Sequence, residues 1–114
     1  MKIDILFAGV PISNLEAAQA WYSTVFGRPP DIIVADDEVM WRFSDSAWLY
    51  IVVDAARAGH AIATLCVADL DATLESIAGR GITGGPVAPV GDGGRKAVFK
   101  DVDGNSISFI EVKA

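Results

Sequence analysis

One histidine and one cysteine in 114 residues are too few for most of the chemistry those side chains support. His60 has no second imidazole with which to share a metal, and no nucleophile stands in a fixed relation to it that would mark a Ser-His-Asp set. A single cysteine, Cys66, excludes a disulfide framework and points to a reducing, cytoplasmic location. In the strand-like run AIATLCV, with no cation beside it, this thiol reads as a buried spectator. No apolar run approaches a membrane span, and the start MKIDILFAGV is charged too early and apolar too briefly for a signal peptide. Basic side chains are scarce. Nine Lys and Arg against fifteen Asp and Glu leave a formal charge of −6, which argues against nucleic acid as a partner and suits a cationic small molecule better.

Apolar side chains are abundant. At 52% hydrophobic and 21% charged residues, the chain can bury a core as one domain. A weak internal repeat organises it: ISNLEAA at 12–18 and VADLDAT at 67–73 share an apolar, small, Asn or Asp, Leu, acid, Ala pattern. Each copy carries an apolar strand into a capped helix. In the first, Ser13 or Asn14 is the cap, with Glu16 at capping-box spacing from Ser13, and Leu15, Ala18, Tyr22 and Val25 form the apolar face up to Gly27. In the second, Asp69 caps a helix with Leu70, Leu74, Ile77 and Ala78 on one face, stopped at Gly79 and Gly81. Trp21 in the first helix reads as core.

Three strand-like segments follow each helix, at about 31–36, 38–44 and 47–54, then about 84–90, 95–100 and 105–113. Both halves therefore read βαβββ, an α+β arrangement of two mixed sheets. Module 1 spans about residues 1–54, a linker about 55–59, and module 2 about 60–114. With a helix over one face of each sheet, the other face is left to line a cleft. DVDGN is a hairpin turn and not a calcium loop, because its glycine comes fourth rather than sixth. GDGGRK lacks the Gly-Lys-Ser/Thr ending of a phosphate loop, and Arg95 and Lys96 read as solvated charges.

The stretches LEAAQAWYSTVFGRPP, ADLDATLESIAGRGI and VFKDVDGNSISFIEV together resemble the vicinal oxygen chelate superfamily, which includes glyoxalase I, bleomycin-resistance proteins and extradiol dioxygenases. The resemblance covers nearly the whole chain. It implies two βαβββ modules around a cleft, commonly in a homodimer, and in the enzymes a divalent metal. The positions that correspond to the family's metal ligands are Phe7, Tyr50, Ile62 and Ser108. Phenylalanine and isoleucine offer no lone pair, and hydroxyls are poor ligands beside imidazole or carboxylate. No metal and no other cofactor is expected.

Glu111 falls on the strand face opposite Ser106 and Ser108 and reads as a solvated residue. His60 reads as a linker-end surface residue that only a shifted register would bring into the cleft as a polar group. What the cleft has instead is aromatic surface: Phe7, Trp41, Phe43, Trp48 and Tyr50, with Ile62 and Ser108, would wall a pocket for a planar or cationic ligand. The reading that follows is a metal-independent small-molecule-binding protein, such as one that sequesters a drug or metabolite. The alternative is a lyase, isomerase or dioxygenase of the same superfamily with displaced or non-metal catalytic groups.

Overall fold

A computed structural model describes residues 1–112. Its elements run β1 (Leu6–Ile12), α1 (Leu15–Phe26), β2 (Ile32–Ala35), β3 (Glu38–Arg42), β4 (Ala47–Val53), β5 (Ile62–Cys66), α2 (Leu70–Gly79), β6 (Ala88–Val90), β7 (Gly94–Lys100) and β8 (Ser106–Glu111). They build two four-stranded mixed sheets of the same topology, β1-β4-β3-β2 and β5-β8-β7-β6. In each, the first strand lies parallel to the fourth, and the remaining neighbours are antiparallel. The α+β, two-module reading of the sequence is the fold observed. The expected last strand reached residue 113, which lies outside the described residues. Among the described residues no helix is long and apolar enough to cross a membrane.

Local chemistry sets the helix ends. Asn14, extended at φ −135°, accepts the Ala17 N–H at 2.9 Å, and Asp69 accepts the Ala72 N–H at 3.0 Å. Ser13 is not the cap; it donates to Asp103 from its backbone N–H at 3.1 Å and from its hydroxyl. Gly27 closes α1 in the left-handed region at φ 74°, where a side chain would be strained. Ala18, Tyr22 and Val25 recur at helical spacing and bury against the first sheet. Leu70 and Ile77 do the same for α2, while Ala78, expected on that face, is exposed.

On β3 and β4 buried residues alternate with less buried ones. Val10, Ile12, Val39, Trp41, Leu49 and Ile51 point toward the helix side and are buried, as are Ala97, Phe99, Ile107 and Phe109 in the second sheet. The opposite faces carry Phe7, Met40, Trp48 and Tyr50 in the first module and Ile62, Thr64, Ser108 and Val98 in the second. The edge strands β1 and β5 lie beside each other without pairing, so each sheet remains separate.

The two modules are joined through the D-x-D-G-N turn. Asn105, fully buried, donates to the Pro11 carbonyl and to Asp101 at 2.8 Å each, and accepts the Gly59 and Ala61 N–H groups at 2.9 Å. Asp101 in turn accepts the N–H groups of Asp103 and Asn105 and, from α1, the Tyr22 hydroxyl at 2.6 Å. One turn of module 2 thus holds the end of β1, the first helix and the linker. The turn is more than a hairpin connection.

Burial, then the hydrogen bond to Asp101 and the negative charge of Asp101 and Asp103, push the Tyr22 hydroxyl above its ordinary pKa of 10.0. The neutral form is therefore favoured in the folded chain. Its stabilising contribution is complete below pH 10 and declines as pH rises, because the unfolded tyrosine ionises there while the folded one does not. Unfolding free energy measured by urea denaturation is expected to fall by up to about 1.4 kcal/mol per pH unit from this group above about pH 10. Tyr22→Phe should show a shallower alkaline decline, and an equal decline in both proteins would refute the assignment.

Candidate functional site

A cavity of about 870 Å³ opens between the modules, lined by both helices and by strands β1, β4, β5 and β8. Its size is in the range of small-molecule sites, about 300–1,000 Å³. The walls are mostly apolar: Ala8 and Leu49 from the first sheet, Ala63 and Leu65 from β5, Val25 and Phe26 from α1, Ile77 from α2. Leu6 and Ile62, 71% and 80% exposed, lie where β1 and β5 begin and mark its open side. Its polar groups are Thr64, Cys66, Thr73, Ser76, Arg28 and Arg80.

The expected aromatic wall is divided. Trp48 lines the cavity, with Phe7 tilted against it at a centroid distance of 5.7 Å. Phe43 also lines it, edge-on to Phe26 at 4.9 Å and about two-fifths exposed. Trp41 does not. It is fully buried under α1 against Tyr22 and Phe26, its indole N–H donated to the Arg28 carbonyl at 3.1 Å. The register decides this: Trp41 stands opposite Leu49 while Trp48 stands opposite Arg42, and directly opposed residues of an antiparallel pair share a face. The alternation Glu-Val-Met-Trp-Arg across 38–42 already carried that signal, since it pairs Trp41 with Val39 on the apolar side.

Tyr50 lies on the Trp48 face, its ring packed over Gly9, where even a methyl group would meet the ring at 2.4 Å. Ser108 is buried on the corresponding face of the second sheet beside Thr64. His60 is exposed at the end of the linker, away from the cavity lining. Cys66 is a correction. It is exposed and lines the cavity, because β5 is an edge strand and its outer face has no layer above it. Glu111 is another: it accepts the Leu70 N–H at 2.9 Å at the start of α2 and is 3.6 Å from Arg95, which also pairs with Asp71 at 3.1 Å. Neither Glu111 nor Arg95 is a merely solvated charge.

Phe7, Tyr50, Ile62 and Ser108 lie in two pairs on the faces away from the helices, and no nitrogen, thiolate or carboxylate stands at any of the four. Among the described residues no three His, Cys, Asp or Glu come together as a metal cage would require. This donor set does not fit a divalent cation, and no catalytic step is derived through one.

The fold is matched in solved structures. The chain is 38% identical to a glyoxalase/bleomycin resistance protein from Catenulispora acidiphila DSM 44928, over 96% of this chain and 98% of that one, with a TM-score of 0.90. It is 24% identical to TnmS3, an antibiotic binding protein from Streptomyces sp. CB03234, over 96% and 95% of the two chains with a TM-score of 0.72. A lactoylglutathione lyase from Agrobacterium tumefaciens is 19% identical over 97% and 95%, with a TM-score of 0.75. The last two are likenesses of fold alone. No protein-family model and no curated protein matches the sequence. The chain belongs to the glyoxalase/bleomycin resistance family of the vicinal oxygen chelate superfamily.

Proposed function

We propose that this chain is a metal-independent, cytoplasmic small-molecule-binding protein that holds a planar ligand in the cavity between its modules. The observation that carries the reading is the cavity itself: apolar walls of ligand size, with Trp48 and Phe43 at hand for stacking and no metal-binding donor set at the family's ligand positions. The antibiotic-binding description of one structural neighbour is in keeping with it. A cationic ligand, favoured by the overall charge, is not favoured by the site. No carboxylate lines the cavity, and the Arg42 guanidinium already lies over the Trp48 ring at 5.5 Å. Leu6, Phe7 and Ile62, exposed together along β1 and β5, support a homodimer formed on that side.

Trp48 makes the test direct. Anthracene-2-carboxamide is expected to quench tryptophan fluorescence saturably and equally with and without a chelator. Trp48→Phe should lose most of the signal. Absence of saturable quenching by any member of a panel of three-ring aromatic compounds would remove the binding reading, and a stoichiometric metal in the purified protein would restore the enzymatic alternative.

A further inference from the structure

We propose that the ligand of this cavity carries a single anionic group, a carboxylate or an acid of similar shape, seated on Arg80. The inference rests on the cavity being the ligand site and adds the chemical class of what enters it. Acidic side chains outnumber basic ones by fifteen to nine in the chain, yet the charged residues of the lining are Arg28 and Arg80, without one Asp or Glu. The sign of the site is opposite to the sign of the protein.

The chain has five arginines. Arg28, Arg42, Arg57 and Arg95 each have a carboxylate partner, Asp31, Asp45, Asp54 and Asp71 respectively. Arg80 has none among the described residues. Its guanidinium is nevertheless held in place, because Nε donates to the Thr24 carbonyl at 2.5 Å and Nη2 to the Val25 carbonyl at 2.7 Å, at the end of α1. A guanidinium has five N–H donors in a rigid fork. Two on one edge are committed, so the edge formed by Nη1 and Nη2 remains for a bidentate acceptor.

Thr73 and Ser76 on α2 and Arg80 at its C-cap all line the cavity, so two hydroxyls and the guanidinium face the same space. Thr73 donates to the Asp69 carbonyl, whereas Ser76 has no hydrogen-bond partner among the described residues. A neutral ligand covering this end would strip water from Arg80 without replacing its hydrogen bonds, and a cationic one would add repulsion. An anion supplies both the charge and the acceptors.

The test compares anthracene-2-carboxylate with the isosteric anthracene-2-carboxamide by calorimetric titration. The wild-type chain should bind the carboxylate about tenfold more tightly or better, and that preference should shrink as salt is raised while amide binding stays constant. Arg80→Gln should reduce the ratio of carboxylate to amide affinity to about twofold or less, and Arg80→Lys should restore part of it. If both probes bind the wild-type protein equally, the anionic class is wrong and the cavity remains a binding site. If neither binds, both readings fall. Should Arg80→Gln not fold, the salt dependence of the wild-type preference decides.

Discussion

Replacing Asn105 by alanine is expected to lower the unfolding free energy by about 4 kcal/mol, the largest stability effect of any single polar substitution in the chain. The side chain is fully buried and makes four hydrogen bonds, to the Pro11 carbonyl, Asp101, and the Gly59 and Ala61 N–H groups. Alanine removes all four and leaves their partners without replacements in a space too tight to rehydrate freely. For a domain of this size the thermal midpoint should fall by roughly 15–20 °C, followed by circular dichroism. Asn105→Asp should not rescue it, because a second carboxylate would face Asp101 and the Pro11 carbonyl and lose the two donated bonds. Gly59→Ala should fail for a related reason: at φ 95° its added methyl would come within 2.7 Å of the Asp103 carbonyl oxygen, on the backbone of the same turn. A loss below about 1 kcal/mol in Asn105→Ala would mean that the turn does not hold the modules together.

Ala63→Phe is expected to abolish ligand binding, by more than about a hundredfold, while leaving the fold in place. Ala63 lies at the edge of the core on the helix side of β5 and lines the cavity, so the added ring would fill volume that the ligand needs. An unfolding free energy within about 1 kcal/mol of wild type, together with lost quenching by anthracene-2-carboxamide, would locate the ligand between α1, α2 and the first strands of the two sheets. Undiminished binding in a folded Ala63→Phe would place it elsewhere, and the face carrying Phe7, Tyr50 and Ser108 would then be the next surface to block.

Much of the fold was legible because it depends on short-range patterns. The repeat of ISNLEAA in VADLDAT announces two like modules, Asn14 and Asp69 mark helix starts, and Gly27 marks an end. Strand extents were less legible: β6 covers only Ala88–Val90, although its apolar approach begins near residue 84, because pairing with β7 begins only there. The candidate site was half legible. Phe43, Trp48 and Ile62 line the cavity and were named from the sequence, whereas Arg28, Arg80 and Ser76 were not, since nothing local distinguishes them from surface residues beyond a helix end or on a helix turn.

By itself the sequence determined the two-module α+β architecture, the buried faces of both helices apart from Ala78, and the unsuitability of Phe7, Tyr50, Ile62 and Ser108 as metal ligands, because periodicity and donor chemistry are properties of the residues themselves. Only the tertiary structure decided that Cys66 is exposed and that Arg80 reaches α1 from the other module. The first depends on strand order in the sheet and the second on contacts between residues 55 or more positions apart, and no local pattern encodes either.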